Sequence, residues 1–380
     1  MKRNKGLDIV RTFAVMAVLI YHFYVLVDNT RYLSHPMLHK LISIGGEVGV
    51  TLFFIISGYG IYLSIDRKIN SGEFSYKTFL AKRFNRILPH YYLSLLIIIF
   101  IGTQGFVISK NGFFHIFTHA LLIHNFFPST CGSISTVLWT MGVIFQFYFV
   151  SIFLYKLLKK NPVVVLIGSV VFTVFCKIMI FHFIFPYIEI ESSYYFIYGR
   201  QLFTALDNFI IGMFLAYMSN KTYYIEDNKK IILSIFSMML SVVWCVMPQV
   251  AFRYSDTIMG YIWNSCLAIL LGIGVWVITE INLKKENVLM KIILFISKYQ
   301  YGIYLWHFVV AANLLQNSSV FSKIANASFL IVAILLSIVC ILVGYIATIT
   351  LEAPDYSQLL KQWMFIFQKD LNKGDQKNND

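Results

Sequence analysis

Ten predominantly apolar runs, each about long enough to cross the roughly 30 Å hydrocarbon core of a bilayer, constrain this chain more than any other feature. They fall near 7–27, 43–65, 87–108, 138–158, 162–185, 195–219, 229–250, 257–280, 290–315 and 328–351. Inside a bilayer the backbone amides and carbonyls have no water to bond, so open runs of this length close their bonds internally as helices. The expected fold is all-α, a polytopic membrane helix bundle of about ten transmembrane helices. It divides into a membrane domain over 1–355 and a polar cytoplasmic tail over 356–380. Only 13% of residues are charged and 58% are hydrophobic, which excludes an ordinary soluble globule, where about a quarter are charged.

The net charge of +13 invites a nucleic-acid reading until the basic residues are placed on the spans. With the N-terminus inside, 22 lysines and arginines fall on inner segments and five on outer loops: Arg31, Lys40, Lys110, Arg253 and Lys323. Both termini are therefore expected in the cytoplasm, in a bacterial-type cell membrane, and the lipid bilayer rather than nucleic acid accounts for the charge. The first run follows Lys2, Arg3 and Lys5 but lacks a small-residue cleavage site, so it reads as a retained span. Four of the five cysteines lie in apolar runs, which gives neither a disulfide framework nor a CxxC site. In the long outer connection 109–137, His115 and His119 have a spacing that suits a metal, but no Cys or carboxylate lies nearby to complete one. No metal is expected, and that segment reads as interfacial and amphipathic.

Polar residues interrupt the spans at a few places. In the first, Asp8, Arg11 and His22 share a stripe; Arg11 and His22 are eleven residues apart, about three turns and about 16 Å along one helix face. Charge inside a bilayer costs about 2.5–3.5 kcal/mol per group on insertion scales, which makes such a stripe a functional candidate. The second carries Glu47 near its outer end within a run of small residues, Gly45 to Gly58, that helix packing alone would explain. Arg83-x-x-Arg86 precedes Pro89 where an inner loop enters the third span. The pair suits phosphate, and a positive-inside anchor explains it equally well. Trp139 and Gln146-Phe147-Tyr148 mark the fourth span and Lys177 the fifth; Arg200 and Asp207 in the sixth are spaced for a buried ion pair. Ser297-Lys298 through Tyr304-Leu305-Trp306-His307 mark the ninth, and Glu352-Ala353-Pro354 closes the tenth.

Taken in order, these motifs resemble the acyltransferase-3 family of integral membrane O-acyltransferases over about 7–355. The chain departs from the family pattern at Thr51, where many members have Asp, and at Ile144 and Phe145, where many have Glu. No hydrolase-like domain follows the last run, so members that pass the acyl group to one are a poor guide. The resemblance implies transfer of an acyl group, commonly acetyl, from cytoplasmic acetyl-CoA or another acyl-CoA to a hydroxyl of a surface glycan or its lipid-linked precursor. Arg11, Arg83 and Arg86 would hold the donor's phosphates, with Asp8 orienting Arg11. His22 would act as general base or carry the acyl group. Glu47, Trp139, Gln146, Tyr304 and His307 would meet the substrate. The competing class is transport, a polysaccharide flippase or proton-coupled exporter built on the same intramembrane charges. The sequence holds neither the internal repeat nor the matched broken helices that such a fold uses.

Overall fold

A computed structural model describes residues 3–27, 36–102, 111–184, 201–219, 227–247, 257–281, 283 and 287–352. Every regular element among the described residues is helical. In chain order they are α1 (Lys5–Leu26), α2 (Pro36–Asn70), α3 (Tyr76–Gly102), α4 (Gly112–Ala120), α5 (Trp139–Lys160), α6 (Pro162–Met179) and α7 (Leu206–Ser219). They continue with α8 (Asp227–Val246), α9 (Ile258–Glu280), α10 (Val288–Asn317), α11 (Ser319–Ala327) and α12 (Phe329–Glu352). Among the described residues nine, namely α1–α3, α5, α6, α8–α10 and α12, are long and apolar enough to cross a membrane. The polytopic all-α bundle is therefore present.

Two expected spans differ in extent. The sixth run, 195–219, is described only from 201, and its helix α7 is 14 residues long, about 21 Å, short of a full crossing. Its first turn holds Asp207 and Asn208, both buried and hydrogen-bonded to α9, so this helix begins inside the bundle. The third run was expected to begin after the arginine pair, at 87. α3 instead begins at Tyr76, so Arg83, Arg86 and Pro89 all lie within the helix. Hydropathy registers only the apolar half of such a helix, whereas the backbone continues through its polar first turns. Arg200, the boundary at 355 and the tail 356–380 lie outside the described residues.

α1 is the axis of the assembly, packed on α2 and α10 and touching α9 and α12. It starts on an Asn4 cap, whose side-chain oxygen accepts from the Leu7 amide at 3.1 Å. Its N-terminal half (Leu7, Val10, Ala14) joins a core with α2, α5 and α7, in which Phe147 stacks on Phe209 at 4.1 Å. Its C-terminal half (Val15, Leu19, Phe23) joins a second core with α10 and α12. Small residues let the axes approach: a Cβ on Gly49 would sit 2.6 Å from Ala14 O, and one on Gly302 would sit 2.5 Å from Gly344 O.

The connection between α3 and α5 carries α4, which exposes Phe113, Phe114 and Phe117 and buries His115 and His119. Tyr91 and Tyr92 of α3 donate to the carbonyls of His119 and Ala120, each at 2.8 Å, and so clamp the segment to the bundle. His119 stacks on His124 at 4.0 Å. Burial pushes their imidazoles down to about 4 and about 3, which keeps this stack neutral at physiological pH.

Candidate active site

Where α1 begins and α2 ends, a cavity of about 520 Å³ lies among α1, α2, α3, α5 and α10. Arg3, Arg11, Arg67, Arg83, Arg86 and Lys298 all line it, against one carboxylate, Asp8. That carboxylate is already committed. Arg3 Nε donates to Asp8 Oδ2 at 2.6 Å, and Arg11 Nη1 and Ser297 Oγ donate to Oδ1 at 3.2 and 2.6 Å. Asp8 is only 1% exposed, so it serves as a hub that aims two guanidinium groups and ties α1 to α10. Arg3 Nη2 on Leu294 O (3.0 Å) and Thr12 Oγ1 on Ile293 O (2.9 Å) reinforce the same seam. Arg83 lies over the Phe79 ring at 5.5 Å, which braces its planar fork.

The far wall of the cavity includes Thr140 and Tyr304. Their hydroxyls are 2.8 Å apart, and the Tyr304 hydroxyl also donates to Val137 O at 3.1 Å, which pins the ring to the start of α5. The Tyr304 carbonyl accepts from His307 Nδ1 at 2.5 Å, and His307 Nε2 meets His22 Nδ1 at 3.0 Å. The histidine pair therefore sits one residue layer beyond the cation-lined cavity, behind Tyr304. His307 is fully buried and His22 is half-buried, with the edge of Phe308 5.5 Å from its ring.

The structure thus brings together Asp8, Arg11, Arg83 and Arg86 in one cavity, with Tyr304 in its wall and His22 and His307 beyond it. Three other expected substrate contacts lie elsewhere. Glu47 accepts from Asn264 Nδ2 at 3.0 Å, and Asn264 Oδ1 in turn accepts from Asn208 Nδ2 at 2.9 Å. This is a second polar cluster, in which Ser265 donates to the buried Asp207 at 2.5 Å and the buried Lys177 donates to Tyr261 O at 3.3 Å. Gln146 donates to Asn125 Oδ1 at 2.9 Å, bracing the connection between α3 and α5, and Trp139 packs edge-on against Phe54. None of these three is among the cavity-lining residues. Sequence reasoning missed Arg3 and Arg67 as cavity cations because both sit where a topological anchor is expected, and it placed Ser297 and Lys298 in the ninth run without a role because a polar residue in a span carries little signal without its partner.

The acyltransferase-3 family model, described as an acyltransferase domain, matches residues 4–349. Two Staphylococcus aureus proteins named "Putative O-acetyltransferase", SAS0844 of strain MSSA476 and SAR0937 of strain MRSA252, are each 24% identical over 332 residues. Those matches cover 82% of this chain and 51% of each relative. The O-acetyltransferase OatA of S. aureus strain NCTC 8325 is 25% identical over 341 residues, 80% of this chain and 50% of that protein. The chain spans about half the length of the curated relatives it matches. No solved structure matches it. With a family model that covers nearly the whole chain, and with Asp8, Arg11, Arg83, Arg86 and Tyr304 drawn around one cavity, this protein belongs to the acyltransferase-3 family.

Proposed function

We propose that this protein transfers an acetyl group from acetyl-CoA, bound from the cytoplasm, to a hydroxyl of a surface polysaccharide or its lipid-linked precursor. The observation that carries this reading is the order of the site: five arginines and a lysine in one cavity, then Tyr304, then the His22–His307 pair. Guanidinium forks suit phosphates, and a cavity this cationic favours a polyanionic donor. A CoA thioester carries its phosphates and its acyl group at opposite ends of a long arm. The phosphates lie against Arg11, Arg83 and Arg86, and the thioester reaches past Tyr304 towards His22. His22 takes the proton of the acceptor hydroxyl as its oxygen attacks the thioester carbonyl. The carbon–sulfur bond breaks, CoA leaves as thiolate, and that thiolate takes a proton in turn, so that the net products are an O-acyl ester and free CoA.

The donor's route depends on orientation, with both termini cytoplasmic in a bacterial-type cell membrane, a reading supported by the 22-to-5 basic asymmetry. Reporter fusions after Asn220 and Leu371 are expected to report cytoplasm, and one after Ser319 the exterior. An exterior signal at Leu371 would reverse the donor side. Deleting the gene is expected to remove O-acetyl signals from the proton NMR spectrum of the surface glycan while leaving its amount largely intact. Loss of the glycan itself, with precursor accumulating inside, would make the protein an exporter and overturn the assignment.

A further inference from the structure

We infer that His307 is a positioning residue that fixes which nitrogen of His22 carries the lone pair; this rests on the reading of His22 as the base. Tyr304 O can only accept, so the nitrogen 2.5 Å from it, His307 Nδ1, carries hydrogen. A neutral imidazole has one N–H, so His307 Nε2 presents a lone pair to the nitrogen 3.0 Å away, His22 Nδ1. That contact is a hydrogen bond only if His22 Nδ1 supplies the hydrogen. Nε2 of His22 is then the basic nitrogen.

The His307 side of the pair is held in place. The His307 ring is 0% exposed and bonded to the carbonyl one turn back on its own helix. Its own carbonyl accepts from Cys340 Sγ of α12 at 3.6 Å. Tyr304, which supplies the fixing carbonyl, is held across the bundle by Thr140 of α5 and by the Val137 carbonyl just before that helix. The orientation of the base on α1 is thus set through α10 by contacts that originate on α5 and α12. The expectation that His307 touches substrate is replaced by this indirect role.

The test reads the tautomer directly. Full-length protein in lipid nanodiscs, with 15N-labelled histidine rings, is examined by solid-state NMR, and the His22 signals are identified as those missing from His22→Gln. The expected wild-type result is a protonated Nδ1 and an unprotonated Nε2. His307→Leu removes the acceptor and should give a mixture of tautomers. His307→Gln places an amide oxygen near the position of Nε2 and should keep the Nδ1–H form. Kinetically, His307→Leu is expected to lower kcat about 10²-fold with little change in KM for acetyl-CoA, and His307→Gln to recover most of it. An Nε2–H tautomer of His22 in the wild type, or a tautomer unchanged in His307→Leu, would overturn the inference. If the Nδ1–H form is found but His22→Gln transfers acetyl normally, the lock stands and the role of His22 as base falls.

Discussion

His22→Gln is expected to fold, insert and still bind acetyl-CoA, yet to lose acyl transfer by about 10²–10⁴-fold even at saturating donor. The substitution retains polarity and approximate size on a half-buried face, so α1 keeps its contacts with α2 and α10. What disappears is an imidazole nitrogen able to accept a proton, which a side-chain amide does not offer. The donor site should not register the change. Arg11 lies about 16 Å back along α1, and the cavity it lines with the other arginines has Tyr304 in its wall, between it and His22. The expected signature is therefore a fall in kcat and kcat/KM together, the pattern of an interaction made in the transition state. A His22 that merely fills the core beside Phe308 forecasts near-normal turnover. A well-expressed His22→Gln protein with ordinary activity would confirm that forecast and remove the proposed base.

What the sequence revealed and what it hid follow from the range of the forces involved. Apolar runs announce membrane helices because the cost of exposing backbone to hydrocarbon is local and large, so the bundle was legible. The spacing of Arg11 and His22 was legible for the same reason, as one helix fixes both. Where α3 begins was not legible: Tyr76 to Leu88 is polar on average, and Pro89 resembles a helix start, yet the helix runs straight through it. The pairing of His22 with His307 spans 285 residues, and that of Asp8 with Ser297 spans 289. No periodicity within one helix encodes contacts between two. Glu47 and Gln146 show the limit of the same reasoning. Each is polar in an apolar span and so reads as a substrate contact, and each also meets an amide on another element: Glu47 accepts from Asn264, and Gln146 donates to Asn125. A buried polar residue must be satisfied by something, and the sequence does not say whether that is substrate or protein.

Replacing Arg83 or Arg86 with Lys separates a donor site from a topological anchor, because the two roles require different properties of the side chain. An anchor needs positive charge on the inner side, which Lys supplies equally. A phosphate site needs the planar fork that donates two parallel hydrogen bonds, which Lys lacks. Hydrogen bonds to charged groups are worth about 1.5–3 kcal/mol each, so loss of one from the fork should raise KM for acetyl-CoA about tenfold to a hundredfold. Arg83 is expected to show the larger effect. It is half-buried with its guanidinium braced over Phe79, whereas Arg86 is exposed, and exposed charge is the more strongly screened by salt. Turnover at saturating donor should change much less, since His22 and its partner lie beyond Tyr304 and touch neither arginine. Steady-state kinetics and calorimetric titration with CoA on the purified full chain measure both quantities. If the Lys variants hold KM at the wild-type value, the arginines are anchors and the donor lies elsewhere. If kcat falls while KM stays constant, they act on the reacting centre, and the separation of a phosphate end from a chemical end of the site is wrong.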